Sequence, residues 1–118
     1  MHYHIGTFMD RFYEIFLASS DQVRAKFSQT DMKSQKQILL ISLSYMMMAH
    51  QDTSLLTNAA IKHNASNRDI SPSLYVNWLN SMIRAVEQTD RKFSTRTERA
   101  WRVVLQPGID YMTSQYDD

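Results

Sequence analysis

The chain has 118 residues, a formal net charge of +1 and no cysteine. Its length suits one domain, residues 1–118, with a sizeable hydrophobic core. The lack of cysteine excludes disulfides, thiolate metal sites and cysteine nucleophiles. Its basic residues are scattered, so we expect no nucleic-acid partner.

Two segments bear on localisation. The start, Met1-His2-Tyr3-His4, does not have the basic-then-apolar layout of a signal peptide. The most apolar stretch, residues 38–49, is shorter than the roughly 17–25 residues that span a bilayer. We therefore expect a cytoplasmic protein with no membrane partner.

The first half of the chain is predicted to form three helices. Large apolar residues at three- and four-residue spacing predict a first helix over Phe8–Ala18, and a polar break then opens a short helix over Gln22–Phe27. Asp31 can cap a long helix, Met32–His50. The apolar stripe of that helix, with one glutamine in it, is Met32, Gln35, Leu39, Leu43 and Met46.

The second half is predicted to form three more helices, the first over Thr53–His63. The next opens at Ile70-Ser71-Pro72, with proline in the first turn, where a missing N–H costs little. Ser94 or Thr95 caps the last helix, and Pro107 inside it is expected to kink or interrupt it. With only 2 Gly and 2 Pro in the chain, the prediction is an all-α fold of about six helices.

His63 is the candidate functional residue that the pattern itself indicates. It closes the apolar stripe Leu56, Ala59, Ala60, His63, and a polar break follows it. The small alanines would let this helix lie close to something flat, leaving the imidazole to bind a metal. The alternative is a histidine that is simply packed or hydrogen-bonded.

The other histidines have simpler interpretations. His50 is expected to interact with the last carbonyls of the long helix, where a cation is favoured. His2 and His4 are expected to lie in a frayed terminus.

The order of these elements and their residues resemble a globin, specifically the bacterial single-domain kind that is similar to the haem domain of flavohaemoglobins. The resemblance covers about residues 9–112. The matched stretches are Phe12-Tyr13, Lys26-Phe27, Gln35 to Leu43, Lys62-His63, Ile70 to Tyr75 and Ala100-Trp101.

The resemblance implies a globin-like fold with a shortened N-terminal helix and a pocket for haem b (iron protoporphyrin IX) between the long distal helix and the proximal helix. His63 would be the axial ligand of the iron, and Phe27 would pack flat on the porphyrin. Tyr13 and Gln35 would face the bound ligand, with Met32 or Lys36 as alternatives to Gln35. The remaining predicted pocket residues are Leu39, Leu43, Leu56, Ala59, Ile70, Tyr75 and Leu79.

Two further contacts are expected on the proximal side. In the flavohaemoglobin pattern a tyrosine, here Tyr75, and a late carboxylate hydrogen-bond near the proximal histidine; Asp117 and Asp118 are the candidates for that carboxylate. The second ring nitrogen of His63 needs an acceptor. The carbonyl of Ala59, one turn earlier, is the hypothesis for that acceptor.

The function implied by the resemblance is reversible binding of a diatomic gas, O2 foremost, with NO and CO as further ligands. We expect binding rather than catalysis. The enzymatic alternative is NO dioxygenation with an external reductase as partner. The other alternative is a gas-sensing or haem-free regulatory interaction module, and both a monomer and a homodimer are compatible with the sequence.

Overall fold

A computed structural model describes residues 5–117 of the chain. It contains six α-helices, and no strand occurs among these residues. A single 3-10 turn, Ser54–Leu56, precedes the fourth helix. The helices are α1 Ile5–Ala18, α2 Asp21–Lys26, α3 Met32–Met48, α4 Thr57–His63, α5 Pro72–Thr89 and α6 Thr95–Ser114. The all-α prediction is confirmed.

Side-chain caps fix the starts of three helices. The Ser20 hydroxyl accepts from the Val23 N–H before α2, and the Asp31 carboxylate accepts from the Lys33 N–H before α3. The Ser94 hydroxyl accepts from the Thr97 N–H before α6. Each cap satisfies one N–H that the first turn of a helix leaves without a partner.

Helix α6 continues through Pro107, so the expected interruption is wrong. Proline removes one backbone hydrogen bond and crowds the preceding turn. Residues on both sides of it are nevertheless buried, among them Leu105, Ile109 and Met112. Tertiary packing of this face outweighs the local preference against proline.

Helix α5 lies at the centre of the fold, between α1 and α6. The largest fully buried side chains come from several helices and meet in one core; they are Phe8, Phe12, Met82, Leu105 and Val23. Helices α3 and α4 both pack on α6 and on the 3-10 turn, whereas neither packs extensively on the other. Helices α3 and α4 are therefore packed separately from each other on α6. Within residues 5–117, no helix has both the length and the apolar character needed to cross a membrane.

Candidate functional site

His63 is the last residue of α4, and its partner comes from α5. Its Nδ1 lies 3.3 Å from the hydroxyl oxygen of Tyr75, a residue that is only 8% exposed. The acceptor proposed from the sequence, the Ala59 carbonyl, is therefore wrong. The partner of this ring nitrogen is the Tyr75 hydroxyl on the neighbouring helix, as the resemblance implied, and not a carbonyl on the same helix.

The charge state of this pair follows from its surroundings. Burial, aided by the positive charges of Arg68 and Lys62, lowers the pKa of His63 to about 4. Burial also raises the pKa of Tyr75 to about 12. Both groups are therefore neutral near pH 7. When Nδ1 carries the imidazole hydrogen and donates it to Tyr75, Nε2 retains a free lone pair.

A second polar pair joins α1 to α3. The side-chain amide of Gln35 donates to the hydroxyl oxygen of Tyr13 at 3.2 Å. Tyr13 is 4% exposed, and burial raises its pKa to about 12 against the opposing effect of the Gln35 hydrogen bond. Of the alternatives to Gln35, Lys36 is instead paired with Asp10 at 2.8 Å.

Phe27 connects this pair to the core immediately after α2. Its ring meets Tyr13 edge-on with centroids 5.9 Å apart, and Phe16 in the same manner at 5.9 Å. The ring is half-buried. The structure thus brings three predicted site residues, Tyr13, Gln35 and Phe27, into one cluster.

Helix α3 has apolar residues on two opposite faces. Leu39 and Leu43 are buried on the same face as Met46, which lies against Gly108 of α6. From the sequence, Leu39 and Leu43 on that face were predicted to line the pocket. The exposed apolar residues of the other face were not predicted, although their helical spacing indicates them: Ile38, Ile41, Tyr45 and Met48.

The other predicted pocket residues lie in or against the core. Leu56 and Leu79 are 2% and 7% exposed. Ala59 and Ile70 are half-buried and pack on the core cluster. That these residues contact a porphyrin remains a prediction.

The loop after His63, residues 64–71, is tied to three parts of the fold. The Ile70 N–H donates to the His63 carbonyl at 2.9 Å, and the Ala65 N–H donates to the Tyr116 carbonyl at 2.7 Å. Lys26 Nζ donates to the Arg68 carbonyl at 2.9 Å, which joins the end of α2 to this loop. No sequence signal indicated the contacts with Tyr116 and Lys26, because these residues lie far from the loop in the chain.

The end of the chain also contacts this loop, at a position of unusual backbone geometry. The Tyr116 hydroxyl donates to the carboxylate of Asp69, whose φ of 54° lies in the left-handed region. Among residues 5–117, no carboxylate is hydrogen-bonded to Tyr75, and Asp117 is exposed. The other candidate carboxylate, Asp118, lies outside the described residues.

The remaining histidines can be placed only in part. His50 Nδ1 lies 3.1 Å from the Met47 carbonyl, which confirms the expected contact with the last carbonyls of the long helix. His2 and His4 fall outside the described residues. Within residues 5–117, His, Asp and Glu side chains form no group of three suited to holding a metal ion.

Comparison with known proteins identifies the fold. Neither models of protein families nor curated protein sequences give a match. The chain is similar to a Pseudomonas aeruginosa PAO1 protein whose crystal structure is described as structurally highly homologous to a human hemoglobin. The TM-score is 0.90 and the sequence identity 40%, over 94% of this chain and 86% of the other.

These helices therefore form a globin-like all-α fold. At this identity and coverage, the chain belongs to the globin family.

Proposed function

We propose that this globin binds haem b with His63 as the axial ligand and binds a diatomic gas reversibly on the opposite side, next to Tyr13 and Gln35. The observation that carries the proposal is the neutral imidazole of His63 held at Nδ1 by Tyr75. The similarity to a protein described as homologous to a human hemoglobin supports haem as the cofactor.

The residues present fit this cofactor on the proximal side. An axial histidine must be neutral, and its second nitrogen must be held so that the ring keeps one orientation. The low pKa of His63 meets the first requirement, and the contact between Nδ1 and the Tyr75 hydroxyl meets the second. The separation of α3 from α4 is compatible with a flat group between them.

The residues on the distal side fit a gas ligand. Haem iron supplies, when bound, an open coordination position at which O2, NO or CO binds. Tyr13 remains protonated because its pKa is about 12. It accepts a hydrogen from Gln35, so its own hydroxyl hydrogen is available to a ligand atom. Phe27 and Phe12 pack against the Tyr13 ring, which is only 4% exposed, so little water reaches this phenol.

NO dioxygenation is a second candidate that the proximal pair favours. In the tautomer in which Nδ1 donates to Tyr75, the hydrogen bond makes the imidazole a stronger electron donor. The net reaction combines NO, O2 and one electron to give nitrate, so it requires an external reductase. Catalytic NO consumption after addition of a reductase would support this activity, and consumption limited to one equivalent would support gas binding alone.

The proposal predicts that His63→Ala abolishes stable haem retention. Purified protein is titrated with hemin, and the Soret band, its shift with CO and the haem stoichiometry are recorded. Wild type should bind one equivalent, and His63→Ala should give only the spectrum of loosely associated hemin. His50→Ala is the matched control, since His50 contacts only a helix-terminal carbonyl. An unchanged spectrum and stoichiometry in His63→Ala would contradict the axial assignment.

A further inference from the structure

The outer face of α3 holds most of the large apolar side chains that the fold leaves exposed. Ten such side chains are exposed among residues 5–117, and six of them lie between positions 38 and 48. A seventh, Leu55, belongs to the 3-10 turn that packs on α3. Single apolar side chains are common on protein surfaces, whereas a contiguous group marks an interaction surface. The six residues of α3 are 38–55% exposed: Ile38, Leu40, Ile41, Tyr45, Met47 and Met48.

Four of these six residues form one stripe along the helix, which we call the outer stripe: Ile38, Ile41, Tyr45 and Met48. Their positions differ by three, four and three in turn. A narrow stripe with this alternating spacing is typical of a helix that packs along a second helix. The stripe through which α3 packs on α6 is a different one and contains Met46. No helix within residues 5–117 covers the outer stripe, so its partner helix comes from outside this part of the chain.

The charge pattern of α3 suits a second copy of the same chain as that partner. When two copies are related by a two-fold axis, residues near the axis lie close to their own counterparts. A charged side chain there would meet a like charge, which opposes association. No charged residue occurs between Lys36 and His50, so residues 37–49 can approach their own copy without repulsion.

The ends of the outer stripe favour an antiparallel pair. Position 43 is the midpoint of the stripe, and in an antiparallel pair centred there Lys33 of one copy approaches Asp52 of the other. A parallel pair would instead bring the two Lys33 side chains together. Lys33 is exposed and forms no ion pair within residues 5–117, and Asp52 is exposed as well. Antiparallel helices also place opposite ends of their dipoles side by side.

The surface is large enough for a weak dimer. Six side chains, each about half exposed, amount to roughly 500 Å² per copy, which is comparable to the largest apolar patch on a typical monomer. With the polar residues between them, two copies would bury about 1,000 Å² in total, the lower limit of a specific interface. Residues 1–4, outside the described part of the chain, offer only Met1 and Tyr3 as large apolar side chains, too few to cover this surface.

We propose that two copies of this chain associate through the outer stripe, with their α3 helices antiparallel. Position 38 of one copy then lies opposite position 48 of the other, and the apolar side chains of both stripes leave water together. Leu39 and Leu43 are buried on the other side of α3, so the association does not depend on the proposed binding of haem.

Sedimentation equilibrium of the purified protein and of Ile41→Lys tests the association. An interface of about 1,000 Å² predicts a dissociation constant in the micromolar range for wild type. Ile41→Lys should raise this constant by about a hundredfold or more, because two like charges would be brought together in a desolvated interface. Val76→Lys is the matched control, since Val76 lies on α5 and is 57% exposed against 55% for Ile41.

Disulfide trapping tests the antiparallel arrangement, because the chain has no cysteine of its own. Positions 38 and 48 lie about 15 Å apart along one helix, too far for a bridge within one chain. Under mild oxidation Ile38→Cys/Met48→Cys should form a covalent dimer, whereas Ile38→Cys alone and Met48→Cys alone should not. In a parallel pair, each single variant would be trapped as a dimer instead.

The two measurements together decide the proposal. A wild-type dimer that Ile41→Lys dissociates and Val76→Lys does not, with trapping of the double cysteine variant alone, supports it. A monomer at every concentration, an equal effect of both lysine variants, or trapping of the single cysteine variants overturns it. A monomer that co-sediments with vesicles of phosphatidylcholine and phosphatidylglycerol, and that loses this binding in Ile41→Lys, overturns it in favour of a lipid surface.

Discussion

Tyr13 combines burial with a hydroxyl hydrogen that its contact with Gln35 leaves free. The Gln35 amide is the donor in that contact, and a phenol with a pKa of about 12 does not ionise near neutral pH. A phenol held in this way can donate to a partially negative ligand atom without first breaking a bond. The proposed hydrogen bond to the bound gas therefore depends on one group, the hydroxyl of Tyr13.

We predict that Tyr13→Phe speeds O2 release from the reconstituted protein. The lost hydrogen bond is worth about 1–3 kcal/mol, which corresponds to roughly five- to 150-fold in rate. Stopped-flow displacement of O2 by CO measures the effect. Tyr45→Phe, on the exposed face of α3, is the control and should release O2 at the wild-type rate. Equal rates for Tyr13→Phe and wild type would place the distal donor on another residue.

Local pattern and family resemblance gave single residues of the site and one contact between helices, that of Tyr75 with His63. The stripe ending in His63 could be recognised along one helix, whereas Tyr13 and Gln35 were assigned from the resemblance. The resemblance placed the Tyr75 hydroxyl near His63, as the structure has it, whereas the geometry of a single helix suggested the Ala59 carbonyl. The bond from Lys26 to the Arg68 carbonyl spans residues still farther apart. Such contacts depend on helix packing, which sequence spacing does not encode.

At the scale of the helices, boundaries were predictable wherever a capping side chain precedes an apolar stripe. Asp31 and Ser94 cap α3 and α6 at the positions predicted from the sequence. The interruption expected at Pro107 does not occur, because the buried residues around Pro107 hold the helix together. The close crossing of α3 and α6 could not be predicted from the sequence either, because it depends on Met46 facing Gly108.

Gly108 permits that crossing. A Cβ added at Gly108 would lie 2.6 Å from Sδ and 2.9 Å from Cε of Met46. Because Met46 is itself buried, its side chain has little room to move away. A side chain at position 108 would therefore have to displace the end of the Met46 side chain from its place in the core.

We predict that the effect of Gly108→Ala on stability reverses sign with the residue at position 46. With Met46 present, overpacking should destabilise the fold by about 1–3 kcal/mol. In a Met46→Ala background the clash is gone, and the better helix propensity of alanine should stabilise it by up to about 1 kcal/mol. Urea unfolding of wild type, Gly108→Ala, Met46→Ala and the double variant measures both effects.

Gly6→Ala is the control that changes helix propensity without pushing a new Cβ against a neighbouring side chain. Among residues 5–117, nothing lies within 4 Å of a Cβ at Gly6, so this change should stabilise α1 by up to about 1 kcal/mol. If Gly108→Ala behaves in the same way as Gly6→Ala while Met46 is present, the contact between Met46 and Gly108 is not tight in solution.

For the molecule as a whole, stability should be distributed unevenly. Helix α5 has 18 residues and packs on both α1 and α6, whereas α4 has 7 residues and packs mainly on α6 and the 3-10 turn. A helix of two turns is marginal without tertiary support. The segment that carries His63 is therefore expected to open more readily than the core on which the rest of the fold is built.

We predict that hydrogen exchange of the haem-free protein is fastest in residues 57–71 and slowest in residues 79–86 of α5. Hemin should protect residues 57–71 in particular, because a ligand held by His63 binds only the closed form of this segment. At free hemin about 100 times its Kd, linkage gives about a hundredfold slower exchange for amides that open with the site. Mass-spectrometric exchange with and without hemin measures the change, and His63→Ala should lose the protection. Protection spread evenly over all helices, or confined to α5, would show that α4 does not open independently of the core.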